Sequence, residues 1–91
     1  MEPDDEDDPD VDRSGVGEAR YSNYAQVGHN ASEFIFDFGQ GWVDEKPIRV
    51  YVRVVTTPDM AYEIYEQLYK ALNQYRVAFG EIRRGKNADE Q

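Results

Sequence analysis

The hydrophobic period of this chain changes once, from two residues to about 3.6, at Thr57-Pro58. Before that point Ile48, Val50, Val52 and Val54 share one face of an extended segment, and Arg49, Tyr51, Arg53 and Val55 the other. After it, Ala61, Ile64, Leu68, Ala71, Leu72, Tyr75 and Phe79 recur three and four residues apart, the stripe of an amphipathic helix. The junction carries helix-start chemistry. Thr57 is the expected cap, Pro58 fits the first helical position, and Asp59 sits at the positive end of the helix dipole. Gly80 is the expected stop, so the helix is placed over residues 58–79.

Upstream, residues 33–38 alternate cleanly, with Phe34, Phe36 and Phe38 against Glu33, Ile35 and Asp37. Residues 21–29 read as a weaker strand, and His29-Asn30-Ala31-Ser32 supplies turn residues between the two. Gly39-Gln40-Gly41 breaks the second strand, and a loop carrying Trp42 leads to Pro47. The pattern predicts an α+β fold in the order β-β-β-α. A three-stranded antiparallel sheet (residues 21–29, 33–38 and 48–55) packs on one C-terminal helix (residues 58–79). One register joins both charge pairs: Asp37 opposite Arg49 and Glu33 opposite Arg53, as structural ion pairs. It also sets Ile35 against Tyr51, Phe36 against Val50 and Phe34 against Val52.

Charge is distributed unevenly along the 91 residues. Residues 1–19 hold nine acidic side chains against Arg13 alone, whereas residues 20–91 hold ten acids and nine bases. The first segment has too little apolar surface to offset about 1–2 kcal/mol per residue of backbone ordering. It reads as a disordered acidic tail, residues 20–82 as a single domain, and residues 83–91 as a frayed end. The tail serves solubility or meets a basic partner surface. Without cysteine there is no disulfide framework or thiolate site, and no apolar run is long enough to span a bilayer. A cytoplasmic location is the expectation.

Chemistry finds little purchase. His29 is the only histidine, so one chain cannot form a two-histidine metal site. Glu33 and Asp37 face arginines, Asp44 and Glu45 lack a ligand set, and Gly39-Gln40-Gly41 opens no helix that could cradle phosphate. The basic residues are few and balanced, which argues against nucleic-acid binding. We therefore expect no catalytic residue, no metal, no cofactor and no membrane partner; an enzymatic site assembled between subunits, with His29 and Asp44 from two chains, is the remaining alternative.

The apolar surface, by contrast, exceeds what one domain needs. One helix can cover only one face of a three-stranded sheet, and a domain of this size without disulfides is near the lower limit of independent stability. Tyr62, Tyr65 and Tyr69 lie beside the helix stripe, and Ile35, Tyr51 and Val55 fall on the outer sheet face. Either the tyrosines simply widen the core face with their hydroxyls in water, or the six residues form an oligomer or partner interface. The second reading predicts a homo-oligomer, dimer or tetramer, acting as a non-catalytic protein-interaction module.

Several spaced motifs carry a resemblance. Tyr21-Ser22-Asn23-Tyr24, Val27-Gly28-His29-Asn30-Ala31-Ser32-Glu33-Phe34 and Asp37-Phe38-Gly39 are followed by Arg53-Val54-Val55-Thr56-Thr57-Pro58 and by Phe79-Gly80-Glu81-Ile82. Together they resemble a widespread prokaryotic family of small uncharacterised proteins, known only as a domain of unknown function. The resemblance brings no reaction. It implies at most a transcription-associated partner, with RNA polymerase the candidate, because some members are encoded beside polymerase subunit genes. The chain departs from the family in its tyrosine-rich helix and in the loop around Trp42, which lacks the usual apolar-Pro-Gly run. Its element order is also similar to that of the export chaperone SecB, which implies binding of unfolded chains as an alternative role. That likeness is one of architecture alone.

Overall fold

The computed structural model describes residues 8–42, 44 and 46–84. Their elements are β1 (Tyr24–His29), β2 (Phe34–Gln40), β3 (Arg49–Thr56) and α1 (Pro58–Phe79). The strands form one antiparallel sheet in the order β1-β2-β3. The α+β class and the order β-β-β-α are thus as expected. Residues 1–7 of the acidic segment and 85–91 at the other end lie outside the described residues.

The first turn is held by one side chain. Asn30 Oδ1 accepts from the amides of Ser32 (2.8 Å) and Glu33 (2.9 Å), and the Asn30 amide donates to the Glu33 carbonyl at 3.0 Å. Strand β1 begins three residues later than expected because residues 21–23 tie down the end of the sheet instead. The Ser22 hydroxyl lies 2.8 Å from the Tyr24 carbonyl and 2.9 Å from that of Gly39. Asn23 exchanges two hydrogen bonds with the Gly41 backbone, its Nδ2 donating to the carbonyl at 2.9 Å and its Oδ1 accepting from the amide at 3.0 Å.

Strand β2 runs through Gly39, which was expected to end it. A Cβ at Gly39 would sit well inside van der Waals contact distance of the Arg49 carbonyl oxygen and 2.9 Å from the Val50 Cα. The glycine is thus a point of close backbone approach, and the pairing shifts there, at Phe38/Gly39.

The expected register is corrected. Asp37 pairs with Arg53, Ile35 with Val55, Phe36 with Val54, Phe38 with Val52 and Phe34 with Thr56. Arg49 lies opposite Gln40, and Glu33 falls before the strand, so neither the Asp37–Arg49 nor the Glu33–Arg53 pair forms. The slide of four residues keeps the predicted faces from Phe34 to Phe38, because alternation fixes only parity, but the shift at Phe38/Gly39 reverses that parity for Val50 and Arg49, which pair with Gly39 and Gln40. What selects this register is length: it brings all of Phe34, Phe36 and Phe38 alongside β3, and it leaves residues 41–48 for the connection.

Helix α1 has the expected bounds and caps. Thr57 is extended (φ −81°, ψ 160°), its Oγ1 accepts from the Met60 amide at 3.3 Å, and its hydroxyl donates to Asp59 Oδ1 at 2.7 Å. Gly80 ends the helix at φ 97°, a left-handed-side conformation that side chains rarely adopt, with its amide donating to the Arg76 carbonyl.

The expected packing of helix on sheet is not made within the chain. The strands pack on one another, but no residue of α1 is buried, and among the described residues only Gly39 is buried at all. The Cα radius of gyration is 15.6 Å, against about 12 Å for a compact chain of this length. Thr57 alone separates β3 from α1.

Candidate interaction surface

The register assigns the two sheet faces. Val27, Phe36 and Val54 lie in one row across the three strands, and Ala25, Phe38 and Val52 in the next. His29, Phe34 and Thr56 close that face at one end, with the His29 ring stacked on Phe34 at 5.2 Å between centroids. The whole face is apolar apart from His29 and Thr56, yet Val27 remains 56 % and Val54 46 % exposed. The opposite face is mixed. It carries the Ile35/Val55 pair, the Tyr24 hydroxyl donating to Gln26 at 2.8 Å, and the Asp37–Arg53 pair.

The helix presents the second apolar surface. Its stripe of Ile64, Leu68, Leu72 and Tyr75 is exposed along its length, with Leu68 at 55 %. Tyr62, Tyr65 and Tyr69 continue the apolar side into a row of rings, with centroids 5.7 Å and 6.1 Å apart. At 100° per residue, stripe and tyrosines together occupy roughly half the circumference, more than a single helix-on-sheet seam uses.

Of the six expected interface residues, the three tyrosines form this row, and Ile35 and Val55 stand opposite each other on the mixed sheet face. The chain does not bring the two groups together. Tyr51 is engaged internally: the Arg20 guanidinium lies 3.8 Å above its ring, and its hydroxyl donates to the Tyr21 carbonyl. Sequence reasoning missed Val27, Val52 and Val54 as open surface, because the alternation that marks them as apolar is the same signal a covered core gives. It also missed the Ser22/Asn23 clamp, for which the only local sign was two hydrogen-bonding side chains ahead of a strand.

Of the groups weighed for chemistry, His29 stacks on Phe34 and Asp37 is paired with Arg53, while Glu45 lies outside the described residues. Arg53 grips Asp37 in a bidentate pair, Nε to Oδ1 at 2.7 Å and Nη2 to Oδ2 at 2.9 Å, and the hydrogen bond from Arg53 holds the Asp37 carboxyl below its ordinary value. Among the described residues, no three His, Asp or Glu side chains converge as metal ligands. A recess beside Trp42, lined by Arg20, Pro47, Arg49 and Tyr51, encloses about 180 Å³, below the roughly 300 Å³ at which small-molecule pockets begin. No helix among the described residues is long and apolar enough to cross a membrane.

Neither a curated protein nor a solved structure matches the chain significantly. One family does match, over residues 6–84, which takes in all four elements, the Ser22/Asn23 clamp and much of the acidic segment. The chain belongs to the family described as protein of unknown function (DUF3467).

Proposed function

We propose that this protein is a non-catalytic, self-associating protein-interaction module, whose apolar helix and sheet surfaces are covered in a homo-oligomer. The observation that carries this reading is the coexistence of two well-formed amphipathic surfaces with no buried large apolar side chain among the described residues. A chain of 10.5 kDa folded into a compact monomer exposes about 5,400 Å², and this one exposes 8500 Å². Part of that excess belongs to the acidic segment, and part is the uncovered faces of α1 and the sheet. Burying them supplies the stabilisation that the single chain lacks.

The tyrosine row suits the contact with other proteins. Its rings combine large apolar area with hydroxyls that tolerate water, so the surface can be wet when free and buried when bound. A transcription-associated partner remains part of the proposal on the family resemblance. A catalytic role is disfavoured by the engagement of Asp37 with Arg53 and of His29 with Phe34.

Light scattering after size exclusion of the full chain tests the reading. A dimer or tetramer that persists on dilution through the micromolar range is expected. A monodisperse monomer at the highest attainable concentration would overturn it.

A further inference from the structure

We infer that the occupant of the open sheet face is the helix of a second copy of this chain, so that two copies exchange α1 reciprocally, each helix lying on its partner's Val27/Phe36/Val54 face. The inference rests on the self-association proposed above and specifies its geometry.

The junction supplies the first reason. β3 ends at Thr56 and α1 begins at Pro58, so a single residue connects them. A helix that folds back over the strand it has just left is usually joined to it by about 2–6 residues. Thr57 cannot provide the reversal. Pro58 disfavours the helical conformation at the residue before it, and Thr57 is held extended while its side chain is committed to the Met60 amide and the Asp59 carboxylate. The helix is therefore aimed away from its own sheet by local covalent geometry. Short, stiff connections of this kind favour exchange of an element between identical chains.

Dimensions supply the second. Twenty-two helical residues span about 33 Å and eight strand residues about 26 Å, and a helix about 10 Å across covers most of a three-stranded sheet. Each chain has one such helix and one such face, so a two-fold pair satisfies both surfaces of both copies in a closed assembly. A dimer made only by the helices leaves the sheets open, and one made only by the sheets leaves the helices open. Charge permits the pairing, because residues 20–91 are nearly neutral and the helix stripe and sheet face are almost wholly apolar. The exchange leaves Tyr62 and Tyr69 at the margin of the seam, free for a further contact.

The absence of cysteine makes a clean test possible. Full-length Val54→Cys and Leu68→Cys chains are purified separately, mixed, equilibrated and treated with a short bis-maleimide. A covalent dimer linked between position 54 of one chain and position 68 of the other is expected, and peptide mass spectrometry locates the link. Because each chain carries one cysteine, a 54–68 link can only be intermolecular. Val27→Cys with Leu72→Cys repeats the experiment at a second point, and circular dichroism and light scattering show that each variant keeps its fold and size. A stable dimer that yields only 68–68 and 72–72 links, with no sheet-to-helix product from either pair, would overturn the exchange while leaving self-association intact. A Val54→Cys/Leu68→Cys double variant that closes within a monomer would overturn both.

Discussion

Arg53 and Asp37 stand directly opposite each other on β3 and β2 and share two hydrogen bonds, of 2.7 Å and 2.9 Å, on the mixed face of the sheet. The pair marks the register. A slide of four residues would put Arg49 in the place of Arg53, keep Phe34, Phe36 and Phe38 on the same face, and carry Phe38 past the start of β3. The arginine is largely exposed and the carboxylate is 14 % exposed, so its value lies more in alignment than in stability.

The pair has a pH signature. The hydrogen bond from Arg53 lowers the Asp37 pKa, so the ionised form is favoured by folding. Its contribution is fully present above the unfolded aspartate value of about 3.9 and is lost as pH falls through the lower folded value. Asp37→Asn is expected to lower the denaturant midpoint by a constant amount above about pH 5, with the difference shrinking to zero in more acidic solution. A double-mutant cycle with Arg53→Gln should show coupling at pH 7, and one with Arg49→Gln should be additive.

Gly39 should be intolerant of any side chain. Its would-be Cβ meets the Arg49 carbonyl and the Val50 Cα, both of them backbone, so the two strands must part to admit a methyl group. Gly39→Ala is expected to cost about 1–3 kcal/mol in unfolding free energy. Gly28→Ala, with nothing within 4 Å of the new methyl, should stay within about 0.5 kcal/mol of the parent. Both are to be measured by urea unfolding at one fixed protomer concentration, since association contributes to apparent stability.

Thr57 is expected to act on two groups at once. Thr57→Ala removes the acceptor for the Met60 amide and should destabilise the chain by about 1 kcal/mol. It also removes the hydroxyl whose hydrogen bond is the largest cause of the lowered Asp59 pKa, so Asp59 should titrate at higher pH in the variant. Carboxyl-carbon NMR titration of the two proteins reads that shift. Thr57→Ser should restore both effects.

What the residues alone determine here is local. Alternation marks the three strands, three-and-four spacing with Thr57, Pro58 and Gly80 bounds the helix to the residue, and the side of each strand residue follows from parity as far as the shift at Phe38/Gly39. These signals are short in range and survive any tertiary arrangement. The exposed tyrosine row was legible for the same reason, since neighbours three and four apart on a helix must meet. Pairing across strands was not legible in full, because registers four residues apart are equivalent in parity and differ only in how much of β2 finds a partner. The role of Gly39 was hidden likewise, since a glycine at a close backbone approach and a glycine at a strand end read alike. Whether the apolar stripe of α1 meets the Phe/Val face of its own sheet was decided only in three dimensions. Amphipathicity states that a surface must be covered and is silent on what covers it, whereas a one-residue connection such as Thr57 limits where the helix can go.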